Sequence, residues 1–279
     1  MKLDTQKLLQ GNFDISSLPN IFYKVNAAVE NPETSFAEIG QIISGDTSLS
    51  ARILKIVNSS FYGFSSRIET ITHAVTIVGM MQLRDLVLAT TIVGQFRGIP
   101  KKVLDMEGFW LHSISTGLAA RIIAIYRKEP NPERYYVMGL LHDIGRLLLL
   151  LNAPDEMKLA LDHYRKGGLL YEAETEVLGL DHSKVAGALL EKWDLPDRLV
   201  NAINFHHDPS NAKTNPLDAS IIHVADIISH SMELGGSGEN YVPPLDPAAW
   251  DQLELPSSIL SSVHSQVDRQ STDAIKMFL

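Results

Sequence analysis

Cysteine is absent from this chain of 279 residues. Disulfides, thiolate zinc sites and cysteine nucleophiles are therefore excluded. Long hydrophobic runs are missing as well, because purely apolar stretches such as Leu147 to Leu151 are far shorter than the roughly 20 residues that a bilayer-spanning helix needs. The N-terminus carries the charged residue Asp4 and has no apolar signal core. These absences predict a cytoplasmic protein in which any metal ion is held by His, Asp and Glu.

The net charge of −9 is unevenly distributed. Residues 1–100 contain eight Lys and Arg and eight Asp and Glu, so the other 16 basic and 25 acidic residues carry the whole excess. A nucleic-acid-binding protein would be expected to present a basic surface, and no such cluster is visible in the sequence. An acidic half suits a cation site, although acidic residues also serve solubility.

Apolar residues recur at three- and four-residue steps through most of the chain, which predicts an all-α fold. Residues 49–57 carry one such helix face, which Asp46 or Ser48 could cap. Glycine and proline between residues 233 and 247 predict a loop, and GIPKK at 98–102 predicts a boundary between two units, 1–100 and 101–279. Further helices are predicted over residues 21–29, 36–43, 71–78, 83–90, 109–126, 173–178 and 183–193, around His142, from Asp194 to His207, and in the last thirty or so residues.

Histidine and aspartate stand at conspicuous places in these apolar helical segments. His142 and Asp143 are adjacent in GLLHDIGRLLLLL, where burial of both side chains costs free energy unless a partner compensates. A metal ion is one such partner, and Fe, Mn, Zn and Ni accept neutral His with ionised Asp. Such a set could hold one six-coordinate ion or two ions that share an Asp. The candidate metal ligands are His112, His142, Asp143, His182, His206, His207 and Asp226.

Other polar residues receive simpler interpretations. His223 shares a helix face with Asp226 and is interpreted as its neighbour. Lys184 could contact a phosphate, although an exposed lysine is the simpler interpretation. The residues interpreted as structural or exposed are His73, His163, His230 and His264, and those predicted to form a solvated helix face are Glu172, Glu174 and Glu176.

Several segments resemble a known family. The N-terminal half contains LPNIFYKV at 18–25, ISGDTSLSARILKIVNSSFYG at 43–63 and IETITHAVTIVGMMQLRDLVLAT at 68–90. The second half contains LHDIGRLLLL, GLDHSKVAGALLEKWDLP and AINFHH. Over about residues 14–235 the sequence resembles the HDOD family, a branch of the HD superfamily of metal-dependent phosphohydrolases. One departure is Thr47, which stands where the family usually has proline after the aspartate.

The resemblance implies an all-α protein with two lobes, an N-terminal helical bundle packed on an HD-type bundle, and a role in bacterial signal transduction. Many HDOD proteins have lost ligand residues, and the family is not generally credited with catalysis. This chain keeps residues that match the HD ligand positions at all seven candidates, which implies one or two divalent metal ions. The Gly-Tyr-Pro motif of the related cyclic di-GMP phosphodiesterases is missing after His207, which argues against that activity.

Three functions remain open. We favour a non-catalytic signalling module that acts through contacts with a signalling protein and senses a metal, nucleotide or phosphate ligand, since no receiver or kinase module accompanies it. The alternative is a metal-dependent phosphohydrolase or phosphodiesterase acting on a nucleotide or phosphoester, with His112 as a ligand or proton donor. A DNA-binding regulator ranks below both, because only Arg52 and Lys55 offer basic contacts around residues 39–57. We expect neither a nucleic-acid nor a membrane partner.

Overall fold

The computed structural model describes residues 3–10, 17–96 and 104–278, with side chains described as far as Ala274. Helices make up 69% of the described residues, which contain no strand, and this confirms the all-α prediction. These ranges also contain a 3-10 turn at Pro209–Asn211. The α-helices are α1 Thr5–Leu8, α2 Asn20–Glu30, α3 Phe36–Ser44, α4 Thr47–Val57, α5 Ile71–Val78, α6 Met80–Gln95, α7 Met106–Tyr126, α8 Pro132–Leu141, α9 Ile144–Asn152, α10 Pro154–Tyr164, α11 Leu170–Leu178, α12 His182–Lys192, α13 Asp197–Asn204, α14 Pro216–Ser231, α15 Pro247–Leu253 and α16 Ile259–Phe278.

Helices α2 to α6 form the N-terminal bundle, in which α3 packs on α2 and α5 while α6 packs on α2 and α4. The start of α3 is a capping box between Ser35 and Glu38. Asp46 caps α4 by accepting a hydrogen bond of 2.9 Å from the backbone N–H of Leu49, so it is the capping residue of the two that the sequence offered. Ile53 lies on the fully buried face of this helix.

The N-terminal segment does not lie on that bundle. The backbone N–H of Leu3 donates to the carbonyl oxygen of Leu178 at 2.8 Å, and the side chain of Asn152 donates to the carbonyl oxygen of Leu8 at 3.0 Å. Residues 3–10 are therefore fastened to the C-terminal lobe. The predicted boundary at residues 98–102 falls outside the described residues, so the division into 1–100 and 101–279 stays a prediction.

Buried polar groups join the two lobes. Arg121 on α7 donates to the carbonyl oxygen of Phe61 at 3.2 Å, lies over its ring at 4.2 Å and pairs with Glu133 at 3.2 Å. Asp85 on α6 accepts a hydrogen bond of 2.9 Å from Asn131, just before α8. Because these groups are buried with their partners, separating the lobes would leave polar atoms unsatisfied.

Helix α7 forms the centre of the C-terminal lobe. Among the helices of the described ranges, α7 alone is long enough and apolar enough to cross a membrane by itself. However, 83% of its most apolar stretch is buried inside the protein. It packs against α8, α14 and α16. Its apolar surface is accounted for by this packing, and the helix carries His112 into the core.

Helix α9 approaches α12 closely at Gly145, which sets the distance between the candidate ligands Asp143 and His182. A Cβ added at Gly145 would overlap the carbonyl oxygen of His182 and lie 2.7 Å from the backbone nitrogen of Ala186. Gly145→Ala is therefore expected to destabilise the protein by about 1–3 kcal/mol, because the helices must move apart. Denaturant unfolding measures the change.

The matched control is Gly94→Ala, inside α6. Its added Cβ would lie 3.5 Å from a guanidinium nitrogen of Arg52, an ordinary contact. We expect this variant to gain up to about 1 kcal/mol, because alanine loses less backbone entropy in a helix. Equal free energies of unfolding for Gly145→Ala and Gly94→Ala would show that the stability of the protein does not depend on the close packing of α9 on α12.

Candidate metal centre

The HD pair lies at a break in the backbone. His142 follows the last residue of α8 and Asp143 precedes α9, whereas the sequence predicted a helix that contains His142. His206 and His207 likewise follow the end of α13, which stops at Asn204, instead of lying within it. Each pair contributes both of its side chains to one group of candidate ligands.

All seven candidate ligands meet in one place in the C-terminal lobe. Six of them are at most 3% exposed and His207 is half-buried. Their ligand atoms form three overlapping groups, and within each group the atoms lie within 4.8 Å of one another. The groups are His112 with His142 and Asp226; His142 with Asp143 and His206; and His182 with His206 and His207.

The first of these groups has the spacing of ligands on a single ion. Nε2 of His112 lies 3.1 Å from Oδ1 of Asp226, and Nε2 of His142 lies 3.3 Å from the same oxygen. Two ligand atoms about 2.1 Å from one ion lie about 3.0–3.4 Å apart at right or tetrahedral angles. The observed distances therefore match a shared ion.

Asp143 stands between this group and the second group of histidines. Its Oδ2 lies 3.4 Å from Nε2 of His142, and its Oδ1 lies 2.8 Å from Nε2 of His182. Nε2 of His207 lies 3.0 Å from Nε2 of His182 on that second side. The two carboxylate oxygens thus face different sets of imidazoles, which is the placement of a ligand shared by two ions.

Unsatisfied atoms test whether the residues present fit a metal. Nε2 of His112, His142 and His206 and Oδ1 of Asp226 are buried without a hydrogen-bond partner. The Nδ1 atoms of His142 and His206 lie 2.7 Å from backbone carbonyl oxygens, to which they donate, so each Nε2 keeps a free lone pair. A buried polar atom left unsatisfied costs about 1–3 kcal/mol, and one or two divalent ions would satisfy all four. The residues fit such an ion.

Two of the candidate ligands, His112 and His206, have protonation states that suit metal binding. Burial lowers the pKa of His112 and lowers that of His206 to about 3, so both imidazoles are neutral, as ligands must be. Burial and Arg146 oppose protonation of His182, but Glu174 and Asp143 outweigh them and raise its pKa to about 9. An ion that binds His182 must therefore displace a proton from its imidazole, so binding of this ion should strengthen as the pH rises.

Glu174 was predicted to lie on a solvated helix face, and that prediction is wrong. It is fully buried and accepts hydrogen bonds from the backbone N–H and Nδ1 of His182, at 2.9 and 2.6 Å. Glu172 and Glu176 are exposed, as predicted. Residues two apart on a helix point in nearly opposite directions, so the sequence spacing alone places Glu174 on the opposite side of the helix from Glu172 and Glu176.

Sequence reasoning also missed Arg146. It lies three residues after Asp143, with Nη1 3.2 Å from its Oδ2 and Nε 3.2 Å from Oε1 of Glu174. Arg146 is 2% exposed, and its place beside the leucine run was the available signal. The guanidinium therefore joins Asp143 to Glu174 and holds both carboxylates on the side of the centre that His182 occupies.

The remaining histidines fall into three positions. His223 donates from Nδ1 to the carbonyl oxygen of His206 at 2.8 Å and accepts at Nε2 from the backbone of Asp246, so it supports the centre from outside. His230 lies against the centre, with Nε2 3.4 Å from Oδ1 of Asp226. His73 and His264 are exposed, as predicted, and the exposed side chain of His163 pairs with Glu176. The sequence had treated His230 like His163.

Lys184 is exposed, as the simpler interpretation predicted, and its ammonium contacts the protein. Its ammonium donates to the carbonyl oxygen of Asn204 at 2.5 Å and lies 4.2 Å from the ring centre of Phe205. These contacts support the segment that leads to the histidine pair. A phosphate contact of Lys184 stays a prediction.

A glycine-rich loop, residues 234–240, covers the centre. The backbone N–H of Gly236 donates to the carbonyl oxygen of Gly108 on α7 at 3.0 Å. Ser237 is buried and accepts a hydrogen bond from Arg146, while Glu239 accepts from the hydroxyl of Tyr164 at 2.8 Å. The loop is thus fastened by polar contacts to α7 and to Arg146, both of which adjoin the centre.

Gly235 brings this cover loop against the helix of His112. Its φ is 72°, and an added Cβ would overlap the carbonyl oxygen of Gly108 and lie 2.9 Å from the backbone nitrogen of His112. Gly235→Ala is expected to cost about 1–3 kcal/mol of stability through strain and displacement of the loop. Thermal unfolding and amide hydrogen exchange around residue 112 measure the effect.

Gly236→Ala is the matched control, because the nearest atom to its added Cβ is 4.0 Å away. We expect exchange around residue 112 to stay as in the unmodified protein. Equally slow exchange in Gly235→Ala would mean that the loop does not shield the centre.

Comparison with known proteins places the chain in a family. The HDOD domain matches residues 15–209. The chain belongs to the HDOD family. Its fold is similar to that of an HDOD domain protein of unknown function from Geobacter sulfurreducens, with a TM-score of 0.76 and 22% identity over 98% of this chain and 94% of that one. The family prediction is confirmed.

Two relatives are similar in sequence. A Treponema pallidum protein without an assigned function is 28% identical over 204 residues, which are 71% of this chain and 39% of the relative. A dihydroneopterin 2′,3′-cyclic phosphate phosphodiesterase from Methanocaldococcus jannaschii is 29% identical over 114 residues, or 40% of each chain. The HDOD chain spans about half the length, or less, of the curated relatives that it matches.

Proposed function

We propose that this HDOD protein is a signalling module that holds one or two divalent metal ions in its C-terminal lobe and acts through contact with a signalling protein. The observation that carries the proposal is the convergence of seven ligands with four unsatisfied buried atoms. His112, His142 and Asp226 would hold one ion, and His182, His206 and His207 another, with Asp143 between them. Fe, Mn, Ni and Zn are the candidate ions.

The burial of the candidate ligands favours a role in signalling over rapid catalytic turnover. Six of the seven ligands are almost fully buried, and the cover loop contacts both α7 and Arg146. A bound ion would tie together segments that the chain supplies from α7, α8, α12, α13 and α14. Metal occupancy would thereby set the order of this lobe and of the surface that a partner contacts. The cytoplasmic location and the lack of nucleic-acid and membrane partners stay predictions.

Elemental analysis of the purified protein, paired with anomalous scattering from a crystal, tests metal binding. We expect one or two equivalents of a transition metal at Asp143 and its neighbours. A protein that contains no metal and takes up none of Fe, Mn, Ni or Zn would contradict the proposal.

Phosphoester hydrolysis is the second candidate. The observation that favours it is Asp143, whose two oxygens face different imidazole sets, because two bridged ions can activate water for attack on phosphorus. The cyclic phosphate phosphodiesterase among the relatives fits this chemistry. A nucleotide, cyclic phosphodiester or phosphomonoester would be the substrate class.

A hydrolysis assay separates the two candidates. The protein loaded with Mn, Fe or Ni is incubated with a panel of nucleotides and cyclic phosphodiesters, and His142→Ala serves as the inactive control. Turnover that disappears in His142→Ala would make hydrolysis the function. No turnover across the panel, with metal bound, supports the signalling module.

A further inference from the structure

His230 occupies a place at the centre that the family ligand set does not include. It lies one helical turn after Asp226 on α14, so the two side chains share a face. Its imidazole centre is 4.4 Å from that of His112, and its side chain is 9% exposed. Paired ligands at positions i and i+4 are a spacing by which one helix holds a metal ion.

Three imidazoles surround a single oxygen of Asp226. Nε2 of His112, His142 and His230 lie 3.1, 3.3 and 3.4 Å from Oδ1. All three distances fall near the 3.0–3.4 Å expected between ligand atoms that share an ion at about 2.1 Å. His230 therefore approaches this oxygen about as closely as the other two imidazoles do.

Orientation separates a ligand from a residue that merely holds Asp226. A supporting histidine would donate its N–H to the carboxylate. Oδ1 of Asp226 instead has no hydrogen-bond partner, although Nε2 of His230 is only 3.4 Å away. Nε2 of His230 therefore does not donate a hydrogen bond to this oxygen.

We propose that His230 is a third imidazole ligand of the ion held by His112, His142 and Asp226. This inference rests on the proposed metal binding. His230 is the most exposed side chain of that group, so it would be the ligand of this ion that lies nearest to solvent.

Metal titration and pulsed EPR test the assignment. Metal-free protein is titrated with Mn²⁺, and the coordinated imidazole nitrogens are counted by electron spin-echo envelope modulation in the unmodified protein, His230→Ala and His230→Gln. In His230→Ala we expect the Mn²⁺ affinity of one binding step to fall by at least about tenfold. A tenfold fall is about the smallest loss typical of removing an outer-shell partner. The count of coordinated imidazoles should fall by one. His73→Ala, at an exposed position of α5, should change neither quantity.

Each outcome decides the proposal. His230→Gln keeps an N–H donor near Asp226 without an imidazole, so full affinity and an unchanged imidazole count in this variant would reduce His230 to a supporting donor and overturn the assignment. An unchanged affinity and count in His230→Ala would overturn it as well. If His230→Ala does not fold, the count in His230→Gln decides alone. Failure of the unmodified protein to bind Mn²⁺ or any other tested ion would instead contradict the proposed function itself.

Discussion

Asp143→Ala is expected to remove tight metal binding from both histidine groups at once. The variant loses the one carboxylate whose two oxygens face different imidazole sets, at 3.4 Å from His142 and 2.8 Å from His182. Loss of an outer-shell partner weakens metal binding about 10- to 100-fold, so loss of this shared ligand should exceed about 100-fold. Calorimetric titration of metal-free protein with Mn²⁺ and Zn²⁺ measures the change.

Asp155→Ala provides the control for this experiment. Asp155 lies in the exposed first turn of α10, so its loss changes the charge without touching the centre. We expect its metal affinity to match that of the unmodified protein. If Asp143→Ala weakens one binding step and leaves another intact, then Asp143 serves a single ion.

Glu174→Ala is expected to show the largest loss of stability, about 3–5 kcal/mol. The substitution leaves Arg146 and His182 buried without the carboxylate that both contact. Removal of the acceptor at Nδ1 also frees the His182 ring to turn, which should weaken binding at the His182, His206 and His207 group about 10- to 100-fold. Denaturant unfolding and metal titration measure the two effects separately.

Glu176→Ala, two residues further along α11, is the matched control. Its carboxylate is exposed and pairs with the exposed His163, a contact worth less than about 1 kcal/mol. Comparable losses of stability in Glu174→Ala and Glu176→Ala would mean that the buried network around Arg146 does not stabilise the protein.

The sequence by itself determined the fold class, most helices and the types of ligand. Apolar periodicity reports which face of a helix is buried, so the helix of residues 49–57 followed from local pattern alone, whereas the structure chose Asp46 over Ser48 as its cap. The seven candidate ligands followed from residue type and from the resemblance to HD proteins. Helix ends were less certain, and the two histidine pairs lie after helices instead of within them. One residue more or less of helix changes the apolar pattern very little.

Only the tertiary structure decided how these residues meet. That Asp143 stands between two imidazole groups, that Glu174 and Arg146 are buried partners, and that His230 lies beside His112 all depend on the packing of helices distant in sequence. Periodicity along one helix carries no information about the distance to a side chain on another helix. Tertiary packing selects the polar partners, because each buried charge is stable only beside the group that compensates it.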